Sequence, residues 1–256
     1  MTDRLVIAVS GADRLKFLDG LVTNALPSPG EGLRYAALLT PQGKYIADFF
    51  MLAEEERMLL DAPAAIAPTL AQRLGMYRLR ADVTIEDSGL AVSRGTGEAP
   101  EGAYADPRHP AMGWRLYGTE AGDDGSDWDA IRVAAMVPEA GMELNADSYP
   151  LEMGFDRLNG VDFRKGCYVG QEVTARMRHK TEIRKGLARL RLLGPVAAGT
   201  EILAGEKPAG TLHTVSGDRG LGWLRYDRAG GPMTVGNVPV ELDATLLDAG
   251  QIVMEP

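Results

Sequence analysis
Lys165-Gly166-Cys167-Tyr168-Val169-Gly170-Gln171-Glu172 is the stretch of this 256-residue chain whose reading decides the rest. It holds the only cysteine, so no intramolecular disulfide and no zinc or iron-sulfur site can be built from cysteines of this chain alone. A lone cysteine suits a reducing compartment, and a cytoplasmic protein is the expectation. Arg164 and Lys165, with a helix expected from Gly170 to Arg178, are the surroundings that lower a thiol pKa and make Cys167 available as nucleophile or metal ligand. The competing reading is a buried cysteine that packs as a small hydrophobe.

A cysteine hydrolase needs a base, and the chain offers only His109, His179 and His213. His179 lies twelve residues beyond Cys167, about 18 Å away along a straight helix, and cannot pair with it there. His109 falls in an expected loop and His213 in an expected strand, and no metal-ligand spacing emerges. Gly166 and Gly170 bracket the cysteine at the spacing of a loop that brings backbone close to a ligand or a neighbour. Gln171 and Glu172 are read as helix-capping or ligand-binding residues.

The formal charge of −9 disfavours broad contact with phosphate backbones, so nucleic acid is not expected as a partner. Nine Lys or Arg against two Glu make Arg164–Arg191 about +7 and leave the remainder about −16. Such a basic patch is either a solvated helix and strand face or a holder of a small polyanion. The apolar run Leu5–Val9 is too short for a signal peptide, and no run of about eighteen apolar residues exists, so no membrane span is expected.

Outward from the motif, strand and helix patterns interleave. Leu5–Val9 reads as a strand; Ser10 reads as an N-cap for a helix carrying Leu15, Leu18, Leu21 and Val22 and ending near Leu26. Leu33–Leu39 and Tyr45–Leu52 flank Thr40-Pro41-Gln42-Gly43-Lys44 as a hairpin. A strand at Arg57–Leu60, a helix at about Pro63–Leu74, and a strand at Tyr77–Glu86 are expected next. Residues 95–110 and 118–127 read as loops around a short strand at Trp114–Tyr117. A helix at Trp128–Met136 follows. Five short strands between 184 and 247, divided by glycine-containing turns, suggest a small β-barrel.

The motif at 165–172, continuing Val173-Thr174-Ala175-Arg176 and Ile183-Arg184-Lys185, resembles the signature of the YgfZ family, especially its mitochondrial iron-sulfur assembly relatives. The likeness extends to Pro150-Leu151-Glu152, to Gly43-Lys44 with Asp48, and to Gly210 with Gly220-Leu221-Gly222, and so covers nearly the whole chain. That family resembles the glycine-cleavage T-protein (aminomethyltransferase) fold. The resemblance implies an α+β protein with three domains around a central folate channel: residues 1–46 with 107–182, an inserted α+β domain at 47–106, and a C-terminal β-barrel at 183–256. It also implies tetrahydrofolate-dependent assistance to assembly or repair of clusters in four-iron enzymes, with assembly proteins or client enzymes as partners.

Under that resemblance Cys167 is the reactive group and Lys165 tunes it. Asp48, Glu152 and Glu172 are candidate acceptors for the adjacent N–H donors of a pterin, and a one-residue slip would put Ala47 in place of Asp48. Arg157, Lys165 and the basic run are candidates for the glutamate tail, Tyr168 and Tyr35 for stacking, and Gln171 for a ligand contact. Where T-proteins carry Arg-Leu-Glu-Ala-Gly, this chain reads Arg132-Val133-Ala134-Ala135-Met136, which replaces a folate-site glutamate by Ala134. That departure favours an assembly factor over a one-carbon transferase. A single thiol would hold a cluster only transiently and in company; nucleophile, redox thiol and shared cluster ligand all stay open.

Overall fold
The computed structural model describes residues 3–180 and 183–246. The chain forms two compact units: one holds the chain up to Ser126 together with Leu158–Ala175, the other Asp127–Arg157 with the chain from Arg176 onward. The main sheet of the first unit has five strands: β1 (Arg4–Ser10), β2 (Arg34–Leu39), β3 (Tyr45–Ala53), β4 (Arg57–Pro63) and β5 (Thr84–Asp87). They form an antiparallel sheet in the order β2-β3-β4-β1-β5. β3 begins at Tyr45 and hydrogen-bonds on both sides within this sheet, so one sheet runs across residues 46 and 47.

Strand alternation gives the sheet two different faces. Ile7, Val9, Ala36, Leu38, Ala47, Phe49, Met51, Met58 and Leu60 bury one face with Leu18 of α1 (Arg14–Asp19) and Leu70 and Leu74 of α2 (Ala67–Arg78). The other face carries Tyr35, Asp48, Phe50 and Asp61, all 4% exposed or less. A smaller sheet, ordered β7-β8-β6-β9, follows in the same unit: β6 (Ala91–Gly95), β7 (Tyr104–Ala105), β8 (Trp114–Gly118) and β9 (Gly122–Asp123).

Three sequence expectations shift for physical reasons. α1 stops at Asp19 rather than near Leu26, because Gly20 ends it and Val22 then bridges to Leu38. Ser10 ends β1 and does not cap the helix; Asp13 stands at the N-cap position without a side-chain bond to the helix, its carboxylate accepting instead from the backbone N–H of Asp82. Tyr77 and Arg78 complete α2 instead of opening a strand, and β4 runs on to Pro63, paired with Arg4, before that helix begins.

In the second unit α3 (Trp128–Ala135) opens on Asp127, whose side chain accepts from the N–H of Ala130 at 3.0 Å. A 3-10 turn at Pro150–Met153 follows. α4 (Gln171–Lys180) precedes the closed barrel of β10 (Lys185–Leu192), β11 (Glu201–Ala204), β12 (Lys207–Ser216), β13 (Arg219–Arg225), β14 (Met233–Val235) and β15 (Val238–Thr245). The three-residue β14, which no sequence pattern announced, pairs with both β11 and β15 and helps to close it. Ala188, Leu190, Ile202, Leu212 and Leu224 fill the interior. The expected extension of the last strand to residue 247, and the chain beyond it, lie outside the described residues.

Candidate functional site
Cys167 is exposed, at the tip of a loop pinned at both ends. On its N-terminal side the Lys165 ammonium donates to the carbonyl oxygens of Asp19 (2.8 Å), Val22 (2.8 Å) and Asn24 (3.1 Å), and it lies 3.2 Å from Asp19 Oδ1. Burial lowers the Lys165 pKa, and the Asp19 carboxylate works against that shift. On the C-terminal side Gln171 Nε2 donates to the Gly166 carbonyl at 3.3 Å, and the Val169 N–H donates to Gly20 O at 3.2 Å. Tyr168 is buried next to the cysteine, its ring centroid 5.4 Å from Lys165 Nζ. The packing-only reading of Cys167 thus does not describe this side chain.

Gly170 fixes the loop against the first hairpin. Its φ of +86° belongs to the left-handed region, and a Cβ there would lie 2.7 Å from Thr40 O. Gly43, φ +75°, answers from the hairpin side, where a Cβ would lie 2.8 Å from Val173 Cβ. The glycines of the two motif segments are thus partners in one close approach. Gly166 has no such constraint, since nothing lies within 4 Å of a Cβ built on it.

A second polar centre lies on the other face of the sheet in the same unit. Asp48 accepts the Tyr45 hydroxyl at 2.6 Å and the Tyr35 hydroxyl at 3.0 Å. Burial first, and the Asp48 carboxylate second, push both phenols well above the usual range, so both stay O–H donors. Ala47 packs into the helical core on the opposite face, and the acidic group on the polar face is Asp48. The Tyr35 ring is fully buried against Phe50, with Arg108 beside it, so it has no free face for stacking.

Beside this centre runs an ion network that sequence reasoning missed. Asp61 binds Arg4 (2.6 Å), Arg115 (3.0 Å) and the Tyr117 hydroxyl (3.0 Å), while Asp106 binds Arg108 (2.7 Å) and Arg115 (3.2 Å). Burial would raise the Asp106 pKa, but the Arg108 and Arg115 guanidiniums outweigh it and hold the carboxyl at about 2. Arg4, Asp61 and Arg115 come from strands far apart in the chain, whereas Asp106 and Arg108 stand two positions apart in one loop.

The remaining candidates lie elsewhere. In the second unit Arg157 donates to the carbonyls of Ala135 and Met136 at the end of α3, and burial lowers its pKa; it holds a helix end rather than presenting a free cation. Met136 ends α3 in the left-handed conformation, φ 52°, a region that favours glycine, and Ala134 stands two residues before it. Glu152 is raised in pKa by burial, against the pull of Lys185 and the Trp223 indole, and lines a cavity of about 260 Å³ with both of them, Asn145 and His213. His213 stands in the β-bulge of β12. Glu172 is exposed in the first turn of α4.

These features define a class before they define a family. The fold is that of the aminomethyltransferases: the chain matches the crystal structure of glycine cleavage system aminomethyltransferase T from Bartonella henselae with a TM-score of 0.74, over 95% of this chain and 83% of that one, at 12% identity. Residues 184–245 match the family of the CAF17 C-terminal beta-barrel domain. The chain is 31% identical to the mitochondrial iron-sulfur cluster assembly factor IBA57 of Homo sapiens over 91% of its own length and 78% of the relative's. To the IBA57 homolog of Mycosarcoma maydis it is 32% identical, over 83% of its own length and 59% of that protein's. The chain belongs to the IBA57 family of iron-sulfur cluster assembly factors.

One expectation falls here. These relatives are mitochondrial proteins, which overturns the cytoplasmic assignment. The physical reason is plain: a lone cysteine reports on redox poise and carries no address.

Proposed function
We propose that this chain assists the assembly or repair of four-iron clusters as a tetrahydrofolate-binding accessory protein, with Cys167 as its reactive group. The observation that carries the reading is the exposed thiol on a loop anchored at both ends, which is how a group is held ready for a partner rather than for a core. Family membership supports the cluster role. The cluster is cargo: one cysteine supplies one of the usual four ligands, and no group of His, Cys, Asp or Glu among the described residues is arranged to hold a metal ion. The missing ligands come from an assembly protein, a client enzyme or a second copy.

Tetrahydrofolate fits the residues present. Each oxygen of Asp48 takes one tyrosine hydroxyl and keeps a second acceptor position, as an N–H-rich pterin edge requires. In the other unit the Glu152 cavity offers a carboxyl beside the Trp223 indole. When bound, the folate supplies one-carbon and reducing chemistry. Ala134 brings only a methyl group to the position where T-proteins have glutamate, which supports an assembly factor over an aminomethyl transferase.

The test is calorimetric titration of tetrahydrofolate into wild type and Asp48→Asn. Binding that weakens at least about tenfold in the variant supports the reading, one lost charge-assisted contact being worth about 1.5–3 kcal/mol. No binding to the wild type removes folate from the account.

A further inference from the structure
The Lys165 side chain is 3% exposed, far more enclosed than a surface lysine, and its surroundings are unusual in kind. Three backbone carbonyls, of Asp19, Val22 and Asn24, converge on one ammonium within 2.8–3.1 Å, and the Asp19 carboxylate closes the outer side at 3.2 Å. These carbonyls come from one short stretch. α1 ends at Asp19, and the chain then turns through residues 20–24 to cover the edge of β2, where Thr23 N–H donates to Ala37 O and Asn24 Nδ2 to Tyr35 O. Carbonyls left over by the helix end and the turn have no partner in secondary structure, and an ammonium satisfies three at once.

An ammonium carries three N–H donors and no acceptor. All three are accounted for here by backbone oxygens, so none remains for a thiolate, a substrate or a proton transfer. Arginine offers a planar fork instead of three diverging donors and does not match acceptors gathered on one point.

We propose that Lys165 is a positioning residue, a cationic plug in a carbonyl cage that fixes where Cys167 stands, and that it does not act by tuning the thiol. This deepens the proposed function and rests on Cys167 being the reactive group. The loop has only five residues between the Lys165 and Gln171 anchors, 166–170, so releasing the plug frees one side of the cysteine directly. The cage is in effect a site for a primary ammonium.

Lys165→Ala leaves a hole the shape of propylammonium, and that small cation is the probe. Three quantities are read on the full chain: thermal unfolding, the pH midpoint of Cys167 alkylation by iodoacetamide, and the rate at which a four-iron enzyme is matured in a reconstituted reaction. The expected result is an unchanged alkylation midpoint, a maturation rate lowered by up to about 100-fold as for a misplaced reacting group, and restoration by added propylammonium but not by tetramethylammonium. Lys165→Met, which keeps the apolar stem packed, serves if the alanine variant does not fold, with the same midpoint and the same loss expected.

A raised alkylation midpoint in either variant would show Lys165 acting as a charge on the thiol and overturn the proposal. So would undiminished maturation, or a folded Lys165→Ala that propylammonium does not restore. Cys167→Ser in the same reaction separates the two levels: normal maturation there sinks the parent reading, whereas a dead Cys167→Ser beside a fully active Lys165→Met sinks the cage alone.

Discussion

Gly170 stands so close to the first hairpin that a Cβ on it would sit 2.7 Å from the carbonyl oxygen of Thr40. Sequence positions 130 residues apart are thus held in contact by the absence of a side chain, and the loop bearing Cys167 takes its place from that contact. Gly170→Ala should therefore lower the unfolding free energy by about 2–4 kcal/mol, combining backbone strain at positive φ with a collision against backbone. Gly166→Ala, with open space around it, should stay within about 0.5 kcal/mol. Urea titration of both variants distinguishes this account from one in which the two glycines merely add flexibility.

The ion network makes a prediction about acid. Asp106, at about 2 in the folded protein against 3.8 unfolded, adds stability that is fully present above the unfolded value and is lost as pH falls through the folded one. Asp61 is lowered too and acts in the same direction, against its own burial, because Arg4 and Arg115 attract it. The thermal midpoint should therefore fall between about pH 4 and pH 2. Asp106→Asn should flatten that limb and cost about 3–5 kcal/mol at neutral pH, since it leaves buried arginine charge without its partner.

Glu152 carries the opposite sign. Its pKa is raised, so the ionised carboxylate opposes folding at neutral pH, and that penalty fades as pH drops toward the unfolded value of 4.5. Glu152→Gln should raise the melting temperature modestly at pH 7 and lose the advantage near pH 4.5. If the Glu152 cavity also receives folate, the same variant binds it less well, a stability gain coupled to a loss of function. Melting curves at the two pH values, with a folate titration at the higher one, check both halves.

Tyr45→Phe isolates the hydroxyl that holds Asp48 at 2.6 Å. Removing it should cost about 1–3 kcal/mol, the penalty for leaving a buried acceptor short of a partner. It should also weaken tetrahydrofolate binding by letting the carboxylate turn away. Unchanged binding with lowered stability would make Tyr45 a purely structural neighbour.

The Tyr45–Asp48 pair shows where the sequence stops being legible. Strict alternation puts residues 45 and 48 on opposite faces of a strand. Leu38 pairs with Ala47 and Leu39 with Tyr45, so Ile46 is bulged, and the bulge brings Tyr45 round to the face of Asp48. A hairpin with proline and glycine at its turn is readable from composition; a one-residue bulge inside it is not. The motif at 165–172 is legible because Cys167 and one anchor of its loop, Gln171, lie within a few positions of each other. The Lys165 acceptors at 19, 22 and 24 were hidden by a helix that the apolar period of Leu15, Leu18, Leu21 and Val22 extended too far. Likewise the joining of Asp61 to Arg115 depends on strands β4 and β8, from two different sheets, being brought together, which no local pattern encodes.

The most direct test of the central claim is the activity of a four-iron enzyme in cells whose only copy of this chain carries Cys167→Ser, with a cluster-free enzyme measured alongside. The account predicts that the four-iron activity collapses while the protein stays folded and abundant, and that the cluster-free activity does not change. Full four-iron activity with Cys167→Ser would contradict it, and the exposed thiol would then have no part in what this chain does.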